Sequence, residues 1–317
     1  MDNFISGIRR LASENKKKIA LPEMDDVRMQ EAADVLESEG IAIPVRFSKD
    51  SLNPEKIKQY ADEFYQLRKS KGVSEEDAFS FMQNPLFYAA MELKHGEVDG
   101  LVAGAVNTTA NMVRSVLYCI GIDRRYRIIS GAFIMLVPNC EYGEGGVFVF
   151  SDCAVVPSPN PKQLANIGIS AAELAKGILG VEPRVAFLSF SSKGSADSPE
   201  VEKVQQAVAI AKELNPNIFC DGEFQVDTAI IPEIAKRKVK DSEVAGRANV
   251  LVFPSLEAGN ISYKLVERLS KGRAIGPILM GAAKPCSDLS RGCSAQDIVD
   301  SAAVVSILAH QRQISSE

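Results

Sequence analysis

Residues with chemically useful side chains lie close together near the end of the chain. In the segment SDLSRGCSAQDIV (287–299), Ser290, Arg291 and Cys293 precede Asp297. An arginine guanidinium binds phosphate or carboxylate through a planar fork of N–H donors. A carboxylate beside such an anion can accept a proton during a reaction. The segment therefore predicts a place where a phosphate-like anion is held next to a general base.

The same segment also fits an ordinary helix start. Ser294 and Asp297 have the spacing of a capping box, in which each side chain bonds the backbone N–H of the other residue. Apolar residues then recur at helical spacing from Ala295 to about Gln311, which predicts a final helix. Capping alone would account for Asp297, but it gives no reason for Ser290 or Arg291.

Other kinds of catalytic centre find little support in the composition. The chain has two histidines, so we do not expect a Ser-His-Asp or Cys-His mechanism. The six cysteines are scattered without C-x-x-C pairs, which argues against a zinc site or another metal centre. Cys293 has the best position for a lowered thiol pKa, because it neighbours Arg291 and a helix start. We nevertheless favour a packing role for it.

Charge and hydropathy argue against nucleic-acid binding and against membrane insertion. The 317 residues carry a net charge of −5, and no basic cluster predicts a surface for nucleic acid. No apolar run approaches the roughly 20 residues that span a bilayer. The N-terminal residues form an amphipathic pattern that differs from a signal peptide. With no export signal and no paired cysteines, we expect a cytoplasmic protein.

The elements that must position these residues alternate between strand and helix along most of the chain. Such alternation predicts an α/β fold, with a mostly parallel sheet covered by helices on both faces. Two consecutive strand candidates at 128–137 and 146–156 interrupt the alternation and predict an antiparallel pair.

The number of strands and the interruption favour two three-layer αβα domains with mostly parallel sheets. We expect the final helix to return to the first domain. Domain 1 would then comprise residues 1–124 plus 281–317 and would carry the DLSRGC segment. Domain 2 would be an inserted α/β domain at residues 125–280.

Motifs along the whole chain resemble those of phosphate acetyltransferases, also called phosphotransacetylases. In order they are KIALPEMDDVR (18–28), EVDGLVAGAVNTTANMVR (97–114), FVFSDCAVVPSP (148–159), VAFLSFSSKGSADSP (185–199), DGEFQVDTA (221–229) and NVLVFPSLEAGNISYK (249–264). The series ends in DLSRGC (288–293), which resembles the signature of that family.

The resemblance implies a reversible transfer of an acetyl group between CoA and inorganic phosphate, by direct attack in a ternary complex. It implies two α/β domains that resemble the isocitrate/isopropylmalate dehydrogenase-like fold, with an interdomain cleft for acetyl-CoA and phosphate. It also implies a homodimer, with acetyl-CoA, phosphate and acetyl phosphate as small-molecule partners and no tightly bound cofactor.

The resemblance further implies roles for single residues. Asp297 matches the proposed base for the CoA thiol, and Arg291 matches the arginine that holds the phosphoryl group. Ser290 matches the serine that stabilises the reacting acyl group or the thiol. Arg68 and Arg114 match two arginines that contribute to CoA binding.

The loop before Arg114 both supports and departs from the family pattern. Thr108 and Thr109 are candidates to bind phosphate, although a helix N-cap explains such threonines equally well. Relatives usually have histidine, aspartate and proline where this chain has Asn107, Asn111 and Ser115. We therefore expect acyl preference, phosphate affinity or pH response to differ here.

Three alternatives remain open at this stage. The acyl group could be longer, as in a phosphate butyryltransferase, because pocket volume is not visible in a sequence. A nicotinamide-dependent decarboxylating dehydrogenase would share the two-domain architecture, but no G-x-G-x-x-G follows a strand. A non-catalytic CoA-binding protein is the third alternative, suggested by the two asparagines that replace titratable residues.

Overall fold

The computed structural model describes residues 2–314, and the chain divides into two compact units. One unit comprises Asp2–Arg124 and the chain from Ala282 onward, and is called the outer unit because it contains the two outer parts of the sequence. The other, the central unit, comprises Arg125–Gly281. The first residue and the last three, which the predicted range of domain 1 includes, lie outside the described residues. The proposal that the two units are separate domains stays a prediction.

The outer unit contains four parallel strands. In spatial order they are β2 (Ile43–Arg46), β1 (Lys18–Leu21), β3 (Gly100–Ala103) and β10 (Cys286–Asp288). Strands β3 and β10 are buried along their whole length, as is typical of parallel strands covered on both faces. Because parallel strands end at the same edge of a sheet, the loops after β1, β3 and β10 lie next to one another.

Within residues 2–314 the outer unit has seven helices. They are α1 (Asp2–Glu14), α2 (Val27–Ser38), α3 (Pro54–Arg68), α4 (Glu75–Met82), α5 (Pro85–His95), α6 (Thr109–Ser115) and α13 (Ala295–Ile314). A π-helical turn, Val116–Ile120, continues α6. The last helix, α13, packs against α1, α2 and β3. Its N-terminus therefore lies close to the carboxyl ends of the strands, where it follows the loop after β10.

The central unit contains a mixed sheet of six strands. In spatial order they are β9 (Arg273–Met280), β4 (Ser130–Leu136), β5 (Val147–Ser151), β8 (Val250–Val252), β6 (Val185–Leu188) and β7 (Cys220–Phe224). Strand β4 is antiparallel to both of its neighbours, and the remaining pairs are parallel. The helices of this unit are α7 (Tyr142–Gly145), α8 (Pro161–Leu179), α9 (Pro199–Leu214), α10 (Val226–Ile230), α11 (Pro232–Lys238) and α12 (Leu256–Ser270).

The predicted α/β class with mostly parallel strands is confirmed, and so is the antiparallel pair, which is β4 with β5. The second strand of that pair ends at Ser151, earlier than predicted. The reason is Asp152, whose carboxylate accepts the backbone N–H groups of Ala154, Val155 and Val156, which would otherwise be available for a strand. Strand β10 was not predicted, because three residues are too few to show a pattern.

Candidate functional site

The segment after β10 forms a tight turn that leads into α13. The Ser290 carbonyl accepts the Cys293 N–H at 2.9 Å, and the Ser290 hydroxyl oxygen accepts the Gly292 N–H at 3.3 Å. Ser290 and Arg291 are exposed, whereas Cys293 is buried. Within residues 2–314 the Arg291 guanidinium makes no hydrogen bond or ion pair, so its donors are available to a ligand.

The predicted capping box at the start of α13 is present. The Ser294 N–H and hydroxyl donate to Asp297 Oδ2 at 2.9 and 2.8 Å, and the Asp297 N–H donates to Ser294 Oγ at 3.2 Å. Asp297 therefore has a structural role. Its carboxylate is half-exposed, so it is also accessible to solvent. Capping does not exclude proton transfer, because a carboxylate has two oxygens and several lone pairs.

Arg28 joins the three loops at this edge of the outer unit. Its Nη1 donates to the carbonyls of Arg291 and Cys293, both at 2.8 Å. Its Nη2 donates to the Ala105 carbonyl at 3.0 Å and to Asp26 at 2.7 Å. Arg28 is the last residue of the motif KIALPEMDDVR (18–28), but sequence reasoning missed its role. Nothing in the local sequence shows that a guanidinium will bond carbonyls far along the chain.

Glu23, which sequence reasoning also missed, holds the loop after β3. Its carboxylate is buried and accepts the N–H groups of Gly104 (2.9 Å), Ala105 (2.8 Å), Val106 (3.1 Å) and Asn107 (2.8 Å). Four successive N–H groups would make a binding place for an anion. Because Glu23 occupies them, these N–H groups are not available to an anionic ligand.

The three departures from the family pattern all take part in local hydrogen bonds. The Asn107 side chain donates to Glu23 at 2.9 Å, and thus supports the same loop. The side-chain oxygen Oδ1 of Asn111 accepts a hydrogen bond from Arg114 Nη1 at 3.4 Å. The Ser115 hydroxyl is buried and donates to a backbone carbonyl one turn earlier at 2.8 Å.

The two threonine candidates differ in their contacts. Thr108 is the N-cap of α6, because its Oγ1 accepts the Asn111 N–H at 3.2 Å. Thr109 is half-buried and lies beside the carboxyl group of Asp288. The capping alternative is therefore realised for Thr108, and Thr109 links the start of α6 to the end of β10.

Asp288 is a buried carboxyl group two residues before Ser290. It is 1% exposed, and its Oδ1 has no hydrogen-bond partner in the part of the chain that the structure describes. Burial raises its pKa to about 7, against the effect of the Thr109 hydroxyl, and the Glu23 carboxylate adds to the rise. Gly104 is packed so closely that a Cβ there would lie 2.3 Å from Asp288 Oδ1.

The two arginines that match CoA-binding residues lie on neighbouring helices of the outer unit. Arg68 is in the last turn of α3, and its Cζ lies 3.9 Å from the ring centroid of Tyr118. Arg114 is exposed in the last turn of α6, four residues before Tyr118. No hydrogen bond within residues 2–314 joins either arginine to the Ser290 turn. The structure thus places the seven candidates in two groups, one at the start of α13 and α6 and one around Tyr118.

Cys293 is buried, in agreement with the packing role favoured for it, and the alternative of a lowered thiol pKa is not supported. Burial raises the pKa of its thiol to about 11, and this effect outweighs the nearby Arg28 guanidinium, which lowers it. A thiolate is the nucleophilic form of cysteine, so a thiol protonated at neutral pH is poorly suited to attack an acyl group.

Two kinds of feature are absent from residues 2–314. No group of three or more histidine, cysteine, aspartate or glutamate side chains there is arranged to hold a metal ion. No helix of the same residues combines the length and the apolar character needed to cross a membrane.

Fold and site together define a class of protein. The outer unit is a parallel α/β structure with an available guanidinium and a carboxylate at the carboxyl ends of its strands. Open α/β sheets bind ligands at this edge, and helix N-termini there favour anions. The class is therefore that of α/β proteins with a candidate site for an anionic ligand.

Comparison with known proteins narrows the class to one family. A family model described as "Phosphate acetyl/butaryl transferase" matches residues 3–306. The phosphate acetyltransferase of Acetivibrio thermocellus is 47% identical, over 97% of this chain and 98% of that protein. That of Clostridium acetobutylicum is 44% identical, over 98% and 99% of the two chains. A crystal structure of a phosphotransacetylase from Streptococcus pyogenes superposes with a TM-score of 0.90 at 37% identity, over 98% of this chain and 99% of that one.

The chain belongs to the phosphate acetyl/butaryl transferase family. Its relatives are acyltransferases, so the predicted resemblance and enzyme class are confirmed.

Proposed function

We propose that this protein is a phosphate acetyltransferase, which catalyses acetyl-CoA + phosphate = acetyl phosphate + CoA in both directions. The observation that carries the proposal is the available guanidinium of Arg291 beside the start of α13, in a chain similar to phosphate acetyltransferases over nearly its whole length. CoA is a substrate in this proposal, and no tightly bound cofactor is required.

Phosphate binds at Arg291 in this mechanism. The guanidinium offers paired N–H donors to two phosphate oxygens, and the positive end of the α13 dipole adds attraction for the anion. Competing N–H groups of the loop after β3 are occupied by Glu23. Arg291 is therefore the donor group best placed to hold phosphate near Ser290.

The chemical step joins phosphate to the acetyl group directly. A phosphate oxygen attacks the thioester carbonyl carbon, a C–O bond forms, the C–S bond breaks, and the CoA sulfur leaves with the electron pair. The Ser290 hydroxyl donates to the carbonyl oxygen as negative charge develops there. In the reverse direction Asp297 accepts the thiol proton of CoA, and the thiolate attacks the carbonyl of acetyl phosphate.

The remaining candidates bind the substrates in this scheme. Arg68 and Arg114 attract the phosphate groups of CoA through their positive charge. Thr108 keeps its O–H as a donor for phosphate, because its oxygen accepts the bond that caps α6. Thr109 takes the same role less directly, since its hydroxyl lies beside Asp288.

We also propose that the protein is a cytoplasmic homodimer. The six cysteines are all unpaired, as is usual in a reducing compartment. Exposed apolar side chains at Ile261, Leu265 and Leu269 recur every four residues along α12, and they give one face that a second copy could cover. Light scattering during size-exclusion chromatography measures the mass and so tests the dimer.

A thiol-release assay tests the activity. Acetyl-CoA is mixed with phosphate, and the CoA thiol is measured for wild type, Arg291→Ala and the control Arg10→Ala, which removes an exposed arginine of α1. Loss of one preorganised donor lowers turnover by about 100- to 1000-fold, so we expect that loss for Arg291→Ala alone. No release by the wild-type protein would refute the proposal and favour a non-catalytic CoA-binding protein. Faster turnover with butyryl-CoA than with acetyl-CoA would assign a phosphate butyryltransferase.

A matched pair of variants separates the two roles of Asp297. Both Asp297→Asn and Ser294→Ala weaken the capping box, but only Asp297→Asn removes the carboxylate. We expect similar small losses of stability, about 1 kcal/mol, and a large loss of turnover for Asp297→Asn alone. Equal turnover of the two variants would leave Asp297 as a cap.

A further inference from the structure

The second group of candidate residues contains a half-buried tyrosine under an arginine. Tyr118 lies in the π-helical turn Val116–Ile120. The Cζ atom of Arg68 lies over its ring, 3.9 Å from the ring centroid. Arg68 Nε is buried and has no hydrogen-bond partner within residues 2–314. The ring is therefore the group in the described chain that holds this guanidinium in place.

Tyr118 lies inside the π-helical turn. The Gly121 N–H donates to the Val116 carbonyl at 2.8 Å, five residues back, so the turn holds one residue more than an α-helical turn. Turns of this kind are frequent at functional sites.

Aromatic neighbours fix the ring from behind. The centroid of Tyr118 lies 6.2 Å from that of Phe64 and 6.4 Å from that of Phe81. These rings come from α3 and α4, so Tyr118 packs on the same helix that carries Arg68. Such a cluster leaves the tyrosine ring little freedom to move away from the guanidinium.

We propose that Tyr118 is a positioning residue, which presents the Arg68 guanidinium to a phosphate group of CoA. A cation over a ring face is attracted by the ring quadrupole. The ring covers one side of the guanidinium and Nε is buried, so the terminal Nη1 and Nη2 groups are the donors left for an anion. The inference rests on the proposed CoA-binding role of Arg68, and it adds how that side chain is held ready.

Steady-state kinetics of thiol release test this role with three variants. Tyr118→Leu removes the ring face, Tyr118→Phe keeps it, and Arg68→Ala removes the guanidinium. A cation–π contact of ordinary strength corresponds to roughly a 3- to 10-fold effect. We expect Tyr118→Leu to raise KM for acetyl-CoA by that factor, with kcat and KM for phosphate within about twofold of wild type. Tyr118→Phe should match the wild type.

The double variant decides whether Tyr118 acts through Arg68. In the Arg68→Ala background, Tyr118→Leu should add no further increase in KM for acetyl-CoA. The inference would be overturned if Tyr118→Leu raised KM for acetyl-CoA as much in this background as it does alone. It would also be overturned if the single Tyr118→Leu variant left that KM unchanged, or if it lowered kcat by the same factor by which it raised KM. An unchanged KM in Arg68→Ala would overturn it together with the proposed role of Arg68. Absence of thiol release in the wild type would instead refute the proposed function, so the two failures are distinguishable.

Discussion

Two buried aspartates, one in each unit, have similar positions at the end of a strand but differ in their hydrogen bonds. Asp152 comes directly after β5 and Asp288 ends β10, and each is 1% exposed. The Asp152 carboxylate accepts four backbone N–H groups, from Gly131, Ala154, Val155 and Val156. Asp288 has one oxygen without a partner among the described residues.

The difference lies in what opposes the cost of burial. Burial raises the pKa of Asp152, and its four backbone hydrogen bonds act against that rise. Burial raises the pKa of Asp288 to about 7 with weaker opposition, and the Glu23 carboxylate raises it further. A carboxylate of the first kind has backbone donors on both oxygens and stabilises a turn, whereas one of the second kind keeps an oxygen without a partner among residues 2–314. The second kind lies two residues from Ser290.

The largest expected effect concerns Asp152. Asp152→Ala leaves four N–H groups without their acceptor, one of them buried and three partly buried, and a buried unsatisfied group costs about 1–3 kcal/mol. Allowing for partial hydration, we expect a loss of free energy of unfolding on the order of 5 kcal/mol. Urea unfolding measures it, with Asp288→Ala as the matched control, which should lose clearly less. Equal losses would remove the contrast between the two residues.

A smaller effect, dependent on pH, concerns Asp288. Its folded-state pKa is near 7 and the ordinary value is 3.8, so between these values the folded protein holds a proton that the unfolded chain has released. Stability from this group is therefore full below about pH 4, falls as pH rises, and is lost above about pH 7. Relative to Asp288→Asn, the wild type should lose about 2 kcal/mol between pH 5 and pH 7.

Urea unfolding of wild type and Asp288→Asn at pH 5, 6 and 7 gives this difference directly. Because other groups titrate equally in both proteins, they cancel in the comparison. Parallel stability curves would mean that folding does not change the protonation of Asp288 between pH 5 and pH 7, and would contradict the prediction.

The smallest expected effect concerns Thr108, the N-cap of α6. It tests whether a group that accepts a backbone N–H, as Asp152 does, has only a structural role. Thr108→Ala removes the N-cap of α6 and should lower the free energy of unfolding by about 1 kcal/mol. Thr108→Ser keeps both the cap and the hydroxyl donor and serves as the control. A rise in KM for phosphate in Thr108→Ala, beyond the change in stability, would show that this cap also binds substrate. An unchanged KM would restrict Thr108 to a structural role, like that of Asp152.

Local features of this chain could be predicted because their causes are local. The capping box of Ser294 and Asp297 spans a single turn, and the antiparallel pair of β4 and β5 consists of neighbouring segments. The separation of α3, α4 and α5 at Gly72 and at Pro85 has the same kind of cause. Glycine and proline change the allowed backbone angles of their own positions.

The contacts around the site could not be predicted in this way. Arg28 bonds the carbonyl of Arg291, 263 positions along the chain, and Glu23 bonds the N–H of Gly104, 81 positions along. Neither bond has a signature in residue type or spacing. The pKa of the Cys293 thiol could not be predicted for a related reason, because burial depends on the whole fold and here outweighs the nearby positive charge of Arg28.

The amino-acid sequence by itself determined the alternation of strand and helix, the helix caps and the order of residues in the Ser290–Asp297 segment, since each depends on neighbours within a few positions. Only the tertiary structure decided which carboxyl groups are saturated, which guanidinium stays available and which ring lies under Arg68. Hydrogen-bond partners and dielectric surroundings are set by segments that meet after folding, and parallel strands bring together loops that are far apart in the chain.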